Sequence, residues 1–260
     1  MTLASLSLSP VWAAEEEGIS LETENKRMNL LRKADKASRR GKYGLALGFL
    51  QQAFRLTPIP DINDHYNIIL IASALKRCPE VVLHAKAFEL LARDDPGFEE
   101  VKKHRDACLV EGAEVGQISV FDVPQKARVL LNGVLVGDGE LSHATFMAAT
   151  YLMEVRAPDY ERHKEKIVLK ANEHEKRSVP LKKRIYYGNL EIRTTPTGAT
   201  ITIEGNPRGK TPLGPIKLTT GKHFVELKLE GYDRFIRNVK IQRDQTYVFE
   251  ANLEKASNAE

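Results

Sequence analysis

Hydrophobic positions follow two different periods along this chain. Across residues 22–111 they return at spacings of three and four: Leu30, Leu31, Ala34 and Ala37, then Tyr43, Ala46, Leu47, Leu50, Ala53 and Phe54. That recurrence draws one apolar stripe along each of several amphipathic helices. Gly41 parts the first two runs and Pro58 stops the second. A third helix is predicted around Asp64 to Lys76, and a fourth from Pro79 to Arg93 with Ala85, Phe88, Leu91 and Ala92 turned inward. A closing helix is predicted from Phe98 to Val110. Past Gln117 the period drops toward two. Ile201 and Ile203 alternate with Thr200, Thr202 and Glu204, and Phe224, Leu227 and Leu229 sit among Lys222, Glu226 and Lys228, as in half-buried strands. Because the period changes at residues 112–116, the helical and strand parts are expected to hold separate cores.

The strand part repeats itself. Pro124, Ala127, Val129, Leu131 and Gly133 recur 72 residues later as Pro196, Ala199, Ile201, Ile203 and Gly205. The same offset carries Gly137 to Gly209, Leu141 to Leu213, Glu154 to Glu226, Tyr160 to Tyr232 and Leu181 to Leu253 without a gap. A constant offset of this kind fixes the folding unit before any local reading. Two β-modules in tandem follow, at 117–182 and 188–254. Each is expected to turn between strands at its glycine, Gly133 in one and Gly205 in the other, where a positive φ costs no Cβ clash.

These residues carry a family resemblance. Pro196-Thr197-Gly198-Ala199, the strand ending at Gly205, then Gly209-Lys210-Thr211-Pro212 and finally Gly231-Tyr232 resemble a PEGA domain. The resemblance implies a small antiparallel β-sandwich with no common ligand. The first copy departs from the pattern: it reads Pro124-Gln125-Lys126-Ala127, then Gly137-Asp138-Gly139-Glu140, then Pro158-Asp159-Tyr160. It is a diverged module, and contacts made through those positions do not carry over to it. The stretch from Gly41 through Ala46-Leu47, Leu50 and Ala53-Phe54 to Pro58 is similar to half of a tetratricopeptide repeat (TPR). The expected architecture is therefore multidomain, α then β: TPR-like helical hairpins over 22–111, followed by two β-sandwich modules.

Composition adds little: 260 residues, 42% hydrophobic, 28% charged, and a formal net charge of +4. So small an excess of base over acid is no nucleic-acid-binding arm, and no nucleic-acid partner is expected. Residues 1–14 are small and apolar and stop at Glu15-Glu16-Glu17, like the back half of a secretory signal peptide whose charged start is missing. No other run approaches the ~20 apolar residues of a membrane span. The expected location is exported, periplasmic or associated with a bacterial cell envelope.

Chemistry is sparse. Gly205-Asn206-Pro207-Arg208-Gly209-Lys210-Thr211 ends like a phosphate loop, but it has three residues between its glycines instead of four. Pro207 also removes an N–H, and Pro212 blocks the helix that such a loop needs. A turn and a strand are predicted there. The seven histidines fall singly, with no paired metal spacing, and no serine sits in a nucleophile elbow. Catalytic, cofactor-binding and metal residues are thus expected to be none, and no cofactor is expected. Cys78 and Cys108 either pair, in an oxidising compartment, or stand as two thiols. Lys26, Arg27, Arg32, Lys33, Lys36, Arg39, Arg40 and Lys42 crowd the first helix, as a solvated face or an anionic contact. The expected function is a non-catalytic envelope scaffold. Its helical repeats would hold a protein partner, and its modules would act as a spacer or envelope-binding stalk. A carbohydrate- or peptidoglycan-binding module pair is the alternative.

Overall fold

The computed structural model describes residues 19–57 and 60–256, so the export segment predicted at 1–14, Pro58 and the last four residues lie outside the described residues. Five helices come first among them: α1 (Leu21–Arg39), α2 (Tyr43–Phe54), α3 (Ile62–Ala74), α4 (Cys78–Ala92) and α5 (Phe98–Asp106). Their ends follow local chemistry. The Ser20 hydroxyl accepts from Thr23 N–H to cap α1, and the Asp61 carboxylate accepts from Asn63 N–H to cap α3. Gly41, at φ +67°, supplies the left-handed residue after α1. The inward stripe of α4 ends sooner than its period suggests: Ala85 and Phe88 are buried, whereas Leu91 is 46% exposed.

Fourteen strands follow in two sets of seven: β1 (Val115–Phe121), β2 (Arg128–Leu131), β3 (Val134–Asp138), β4 (Leu141–Met147), β5 (Ala149–Arg156), β6 (His163–Leu169) and β7 (His174–Ser178), then β8 (Tyr187–Thr195), β9 (Thr200–Ile203), β10 (Asn206–Lys210), β11 (Leu213–Thr219), β12 (Gly221–Lys228), β13 (Phe235–Ile241) and β14 (Thr246–Asn252). Every strand of the second set begins 72 residues after its counterpart. The sheet orders match too: β4-β1-β7 facing β3-β2-β5-β6, and β11-β8-β14 facing β10-β9-β12-β13. The duplication read from sequence is thus a duplication of the whole sandwich. The sandwiches are not wholly antiparallel, since β7 pairs parallel to β1 and β14 parallel to β8. A chain that crosses from one sheet to the other between β6 and β7 returns in the same direction as β1, a feature that periodicity cannot show.

The chain forms two compact units, and the break between them falls at Lys182–Lys183. One hydrophobic cluster runs through the first unit from Ala34 on α1 to Val179 beyond β7. The separate helical and strand cores expected from the change of period are therefore one core. The reason lies on the open side of the first sandwich, where α4 packs against β3 and β4. Val134 and Val136 on β3 are buried there. At the same offsets on β10 the second copy has Asn206 and Arg208, and all five β10 positions are exposed. Leaving Val134 and Val136 in water would cost about 1.5–3 kcal/mol each, so the first sandwich needs its helical cover. The second copy instead blunts that edge with Pro207, Arg208 and Lys210, as unpaired edge strands commonly do. Its own core, from Leu190 to Leu253, is complete within the second unit.

Two further points refine the pattern. On β12 the core side chains are Val225 and Leu227, while Phe224 lies on the outer face at 38% exposure. The apolar set read as Phe224 and Leu227 therefore mixes the two faces. Cys78 and Cys108 are joined as a disulfide with their Cα atoms 5.4 Å apart, tying the start of α4 to the turn after α5.

Candidate functional site

The motif residues of both copies lie in the strands and turns of the sandwiches. Ala127 and Ala199 are fully buried. Asn132 and Gly133, at φ +51° and +83°, form the two-residue turn between β2 and β3, and Glu204 and Gly205, at +49° and +77°, form the same turn between β9 and β10. Two successive positive φ values are what a type I′ hairpin demands. The residue ahead of each glycine also does a second job. Its side-chain oxygen accepts from the central strand, Asn132 from Leu152 N–H at 2.8 Å and Glu204 from Phe224 N–H at 2.9 Å.

Gly198 has φ +93°, and its counterpart Lys126 keeps the left-handed backbone at +62°. The diverged first signature thus preserves the shape while losing the glycine. The buried Thr211 hydroxyl accepts from Ala199 N–H at 3.0 Å and lies 2.5 Å from the Thr194 hydroxyl, which donates to the Pro196 carbonyl at 2.7 Å. This network knots the Pro196 loop to the strand that begins beyond Pro212. In the first copy, where Asp122 and Gly139 stand in place of the two threonines, the Pro124 carbonyl accepts from Ala127 N–H at 3.1 Å within its own loop instead. Gly209 has φ +120° on β10, Gly231 has φ +77°, and half-buried Tyr232 packs on the second core. The phosphate-loop look-alike is β10 with its turn, paired to β9.

Two glycines and two carboxylates carry roles that the sequence did not reveal. A Cβ on Gly116 would stand 2.5 Å from the Lys170 carbonyl oxygen, and one on Gly188 would meet the Gln242 carbonyl. These are equivalent positions, where β1 and β8 pass under the connection to the last strand. Glu154 and Glu226, also equivalent, are buried beside bases. Burial pushes the Glu154 pKa up, but hydrogen bonds and charge from Arg156 and Lys164 outweigh it and hold the carboxyl below its usual range. Hydrogen bonds from Lys228 and Arg234 do the same for Glu226.

Among the described residues, two clefts of the first unit bear on function. One, of about 470 Å³, lies between α1, α2 and α3, floored by Leu31, Ala34, Leu50 and Ile71 and rimmed by Asp35, Asp61, Asn63 and Asn67. Arg27 crosses its end. It therefore leaves the basic face on which the sequence placed it, and donates to Asp64 at 2.7 Å and Glu24 at 3.3 Å. Burial opposes the Arg27 charge, yet these two carboxylates more than offset it and raise the pKa. The second cleft, of about 570 Å³, lies between α2, α4 and the outer face of β5, with Phe54, Leu83, Tyr151 and Leu152 among its walls. Behind it His65 and His84 meet with their Nδ1 atoms 3.1 Å apart, both buried, with the Phe54 ring edge-on to each. Burial holds both imidazoles neutral, His65 at a pKa of about 4 and His84 well below the ordinary value.

The tyrosines at the head of β8 have their faces occupied. The Lys217 ammonium lies 4.4 Å from the Tyr187 ring centre and the Arg243 guanidinium 4.3 Å from that of Tyr186. Among the described residues no helix is long and apolar enough to cross a membrane, and no group of three or more His, Cys, Asp or Glu side chains stands ready for a metal ion.

Comparison with known proteins agrees with the duplication. The PEGA domain model matches residues 115–185 and again 187–257, together more than half of the chain. No curated protein matches. Among solved structures, the chain is similar to the Bacillus anthracis TIE protein, at 17% identity and a TM-score of 0.34 over 54% of this chain and 34% of that one. It is also similar to GBS52, the minor pilin of Streptococcus agalactiae, at 12% identity and a TM-score of 0.25 over 48% of this chain and 67% of that one. The chain spans about a third of the length of the first of these.

Proposed function

The chain belongs to the PEGA-domain family, and from that premise we propose that it is a non-catalytic interaction or scaffold protein of the bacterial cell envelope. In this reading the helices act as TPR-like hairpins that hold a partner polypeptide, and the tandem sandwiches serve as a spacer or envelope-binding stalk. The observation that carries it is the cleft between α1, α2 and α3. It is open and concave, apolar at its floor and polar at its rim, and it lies among the helices that the first sandwich braces. A segment in extended or helical form would bury side chains on Leu31, Leu50 and Ile71 and pair its backbone with Asn63 and Asn67. The disulfide between Cys78 and Cys108 fits an oxidising compartment outside the cytoplasm.

Site-specific photo-cross-linking tests the reading. A cross-linker at exposed Asn67 should yield one discrete protein adduct in cells, and the same group at Val248 on β14 should not. Equal labelling from both positions, or adducts only with wall polysaccharide, would reject the groove.

A further inference from the structure

The outer face of the sheet β4-β1-β7 carries a side-chain cluster that the scaffold reading does not use. His143 on β4 and His174 on β7 flank Ser119 on β1, and their rings stand 4.6 Å apart, centre to centre. The Ser119 hydroxyl lies 2.8 Å from His174 Nε2 and accepts from His143 N–H at 3.0 Å, while the Ser142 hydroxyl lies 2.9 Å from His143 Nδ1. Each ring therefore has one nitrogen held by a serine and one left over: Nε2 of His143 and Nδ1 of His174.

The fold does not require these side chains. At the same four places the second copy has Glu191, Gly214, Pro215 and Thr246, on the same strands in the same sheet order. His143 also holds a left-handed backbone, φ +47°, beside the bulge between β1 and β4, so its ring is set over the sheet at some conformational cost.

We propose that His143 and His174 form a two-histidine site for a borderline divalent transition metal, Cu²⁺ most tightly and Zn²⁺ or Ni²⁺ less so. The 4.6 Å between ring centres falls within the span of a chelating pair. A metal about 2.0–2.1 Å from each ligating nitrogen sits about 3.2 Å from each ring centre, which puts the two centres about 4.5 Å apart at a right angle and about 5.2 Å apart at a tetrahedral angle. The serines supply the outer shell. With each hydroxyl accepting from its ring N–H, the tautomers are fixed and a lone pair is left on each free nitrogen, as in most protein metal sites. Water completes the coordination, and imidazole with water suits Cu²⁺ first in the affinity order. Lys176, paired with Ser119 across the sheet, lies beside this site and favours an anionic or hydroxide co-ligand.

Titration of the tag-free protein with CuCl₂ alone, followed by calorimetry and by electron paramagnetic resonance, tests the assignment. One equivalent should bind near neutral pH, with hyperfine structure from two imidazole nitrogens. Binding should weaken at least tenfold in either His143→Ala or His174→Ala, and about tenfold in Ser119→Ala. Circular dichroism establishes that each variant is folded. Absence of binding by the wild-type protein would overturn the proposal. So would binding that both histidine variants retain, or a spectrum with a single nitrogen ligand.

Discussion

Acid should weaken the first unit at its buried imidazoles, and the size of the effect can be worked out. His65 and His84 sit behind the second cleft, neutral and hydrogen-bonded through Nδ1, with Phe54 edge-on to both. Burial lowers the His65 pKa to about 4, although Asp61 pulls the other way. In the unfolded chain the same group titrates near 6.5. Between those values the unfolded state binds the extra proton, so stability falls as pH falls, beginning near pH 6.5 and ending near pH 4. For His65 alone the loss is about 2 kcal/mol at pH 5 and about 3 kcal/mol at pH 4. His84 adds to it in the same direction. Every helix among the described residues belongs to the first unit, so the far-ultraviolet dichroism lost in a urea titration reports that unit. In His65→Asn a side-chain amide stands close to where Nδ1 was and does not titrate. The wild-type protein should lose about 2 kcal/mol more than this variant between pH 7 and pH 5. An equal loss in both proteins would refute the reasoning for His65.

Gly188→Ala and Gly116→Ala should each destabilise their unit by about 2–3 kcal/mol or prevent folding, because backbone carbonyls occupy the Cβ position, while Gly214→Ala should stay within about 0.5 kcal/mol; comparable effects at all three, read by chemical denaturation, would count against the close approach. Replacing Gly133 or Gly205 by valine should cost at least ~1 kcal/mol by the same assay, and a negligible cost would contradict the paired left-handed turns. Reducing the disulfide should lower the urea midpoint of the helical signal by the equivalent of about 3–4 kcal/mol for a loop of this length, and an unchanged midpoint would show that the bridge does not constrain the unfolded chain. Protein recovered after export should show tyrosine emission only, since Trp12 is the single tryptophan and precedes the expected cut; an indole band would argue against cleavage.

What was legible in the sequence was whatever repeats or punctuates. The 72-residue offset read along the chain holds for every strand pair of the structure, and the glycines at 133, 198, 205, 209 and 231 all mark positive φ. Periodicity treats each element alone, however, and could not say that α4 covers β3 and β4 some fifty residues later. The hint was present in the contrast between the copies, Val134 and Val136 against Asn206 and Arg208. The same limit hid Arg27. A run of bases reads as a solvated face until Asp64, 37 residues on, arrives beside it. Histidines that look solitary along the chain meet in pairs across helices and strands, and no local spacing encodes such pairs. Gly116 and Gly188 looked like linker residues because the carbonyls that demand them come from the far end of each module.

The division at Lys182–Lys183 offers the most direct test of the scaffold reading. Residues 19–182 and 183–256 hold complete, separate cores, so each piece can be prepared alone, checked for folding by circular dichroism, and assayed against envelope proteins and purified cell-wall sacculi. The account predicts that the first piece retains most of the affinity for a protein partner, loses it when Asn67→Arg at the exposed rim blocks the groove, and weakens only modestly with salt because the groove floor is apolar. Recovery of all binding in the second piece, to sacculi and not to protein, would contradict it.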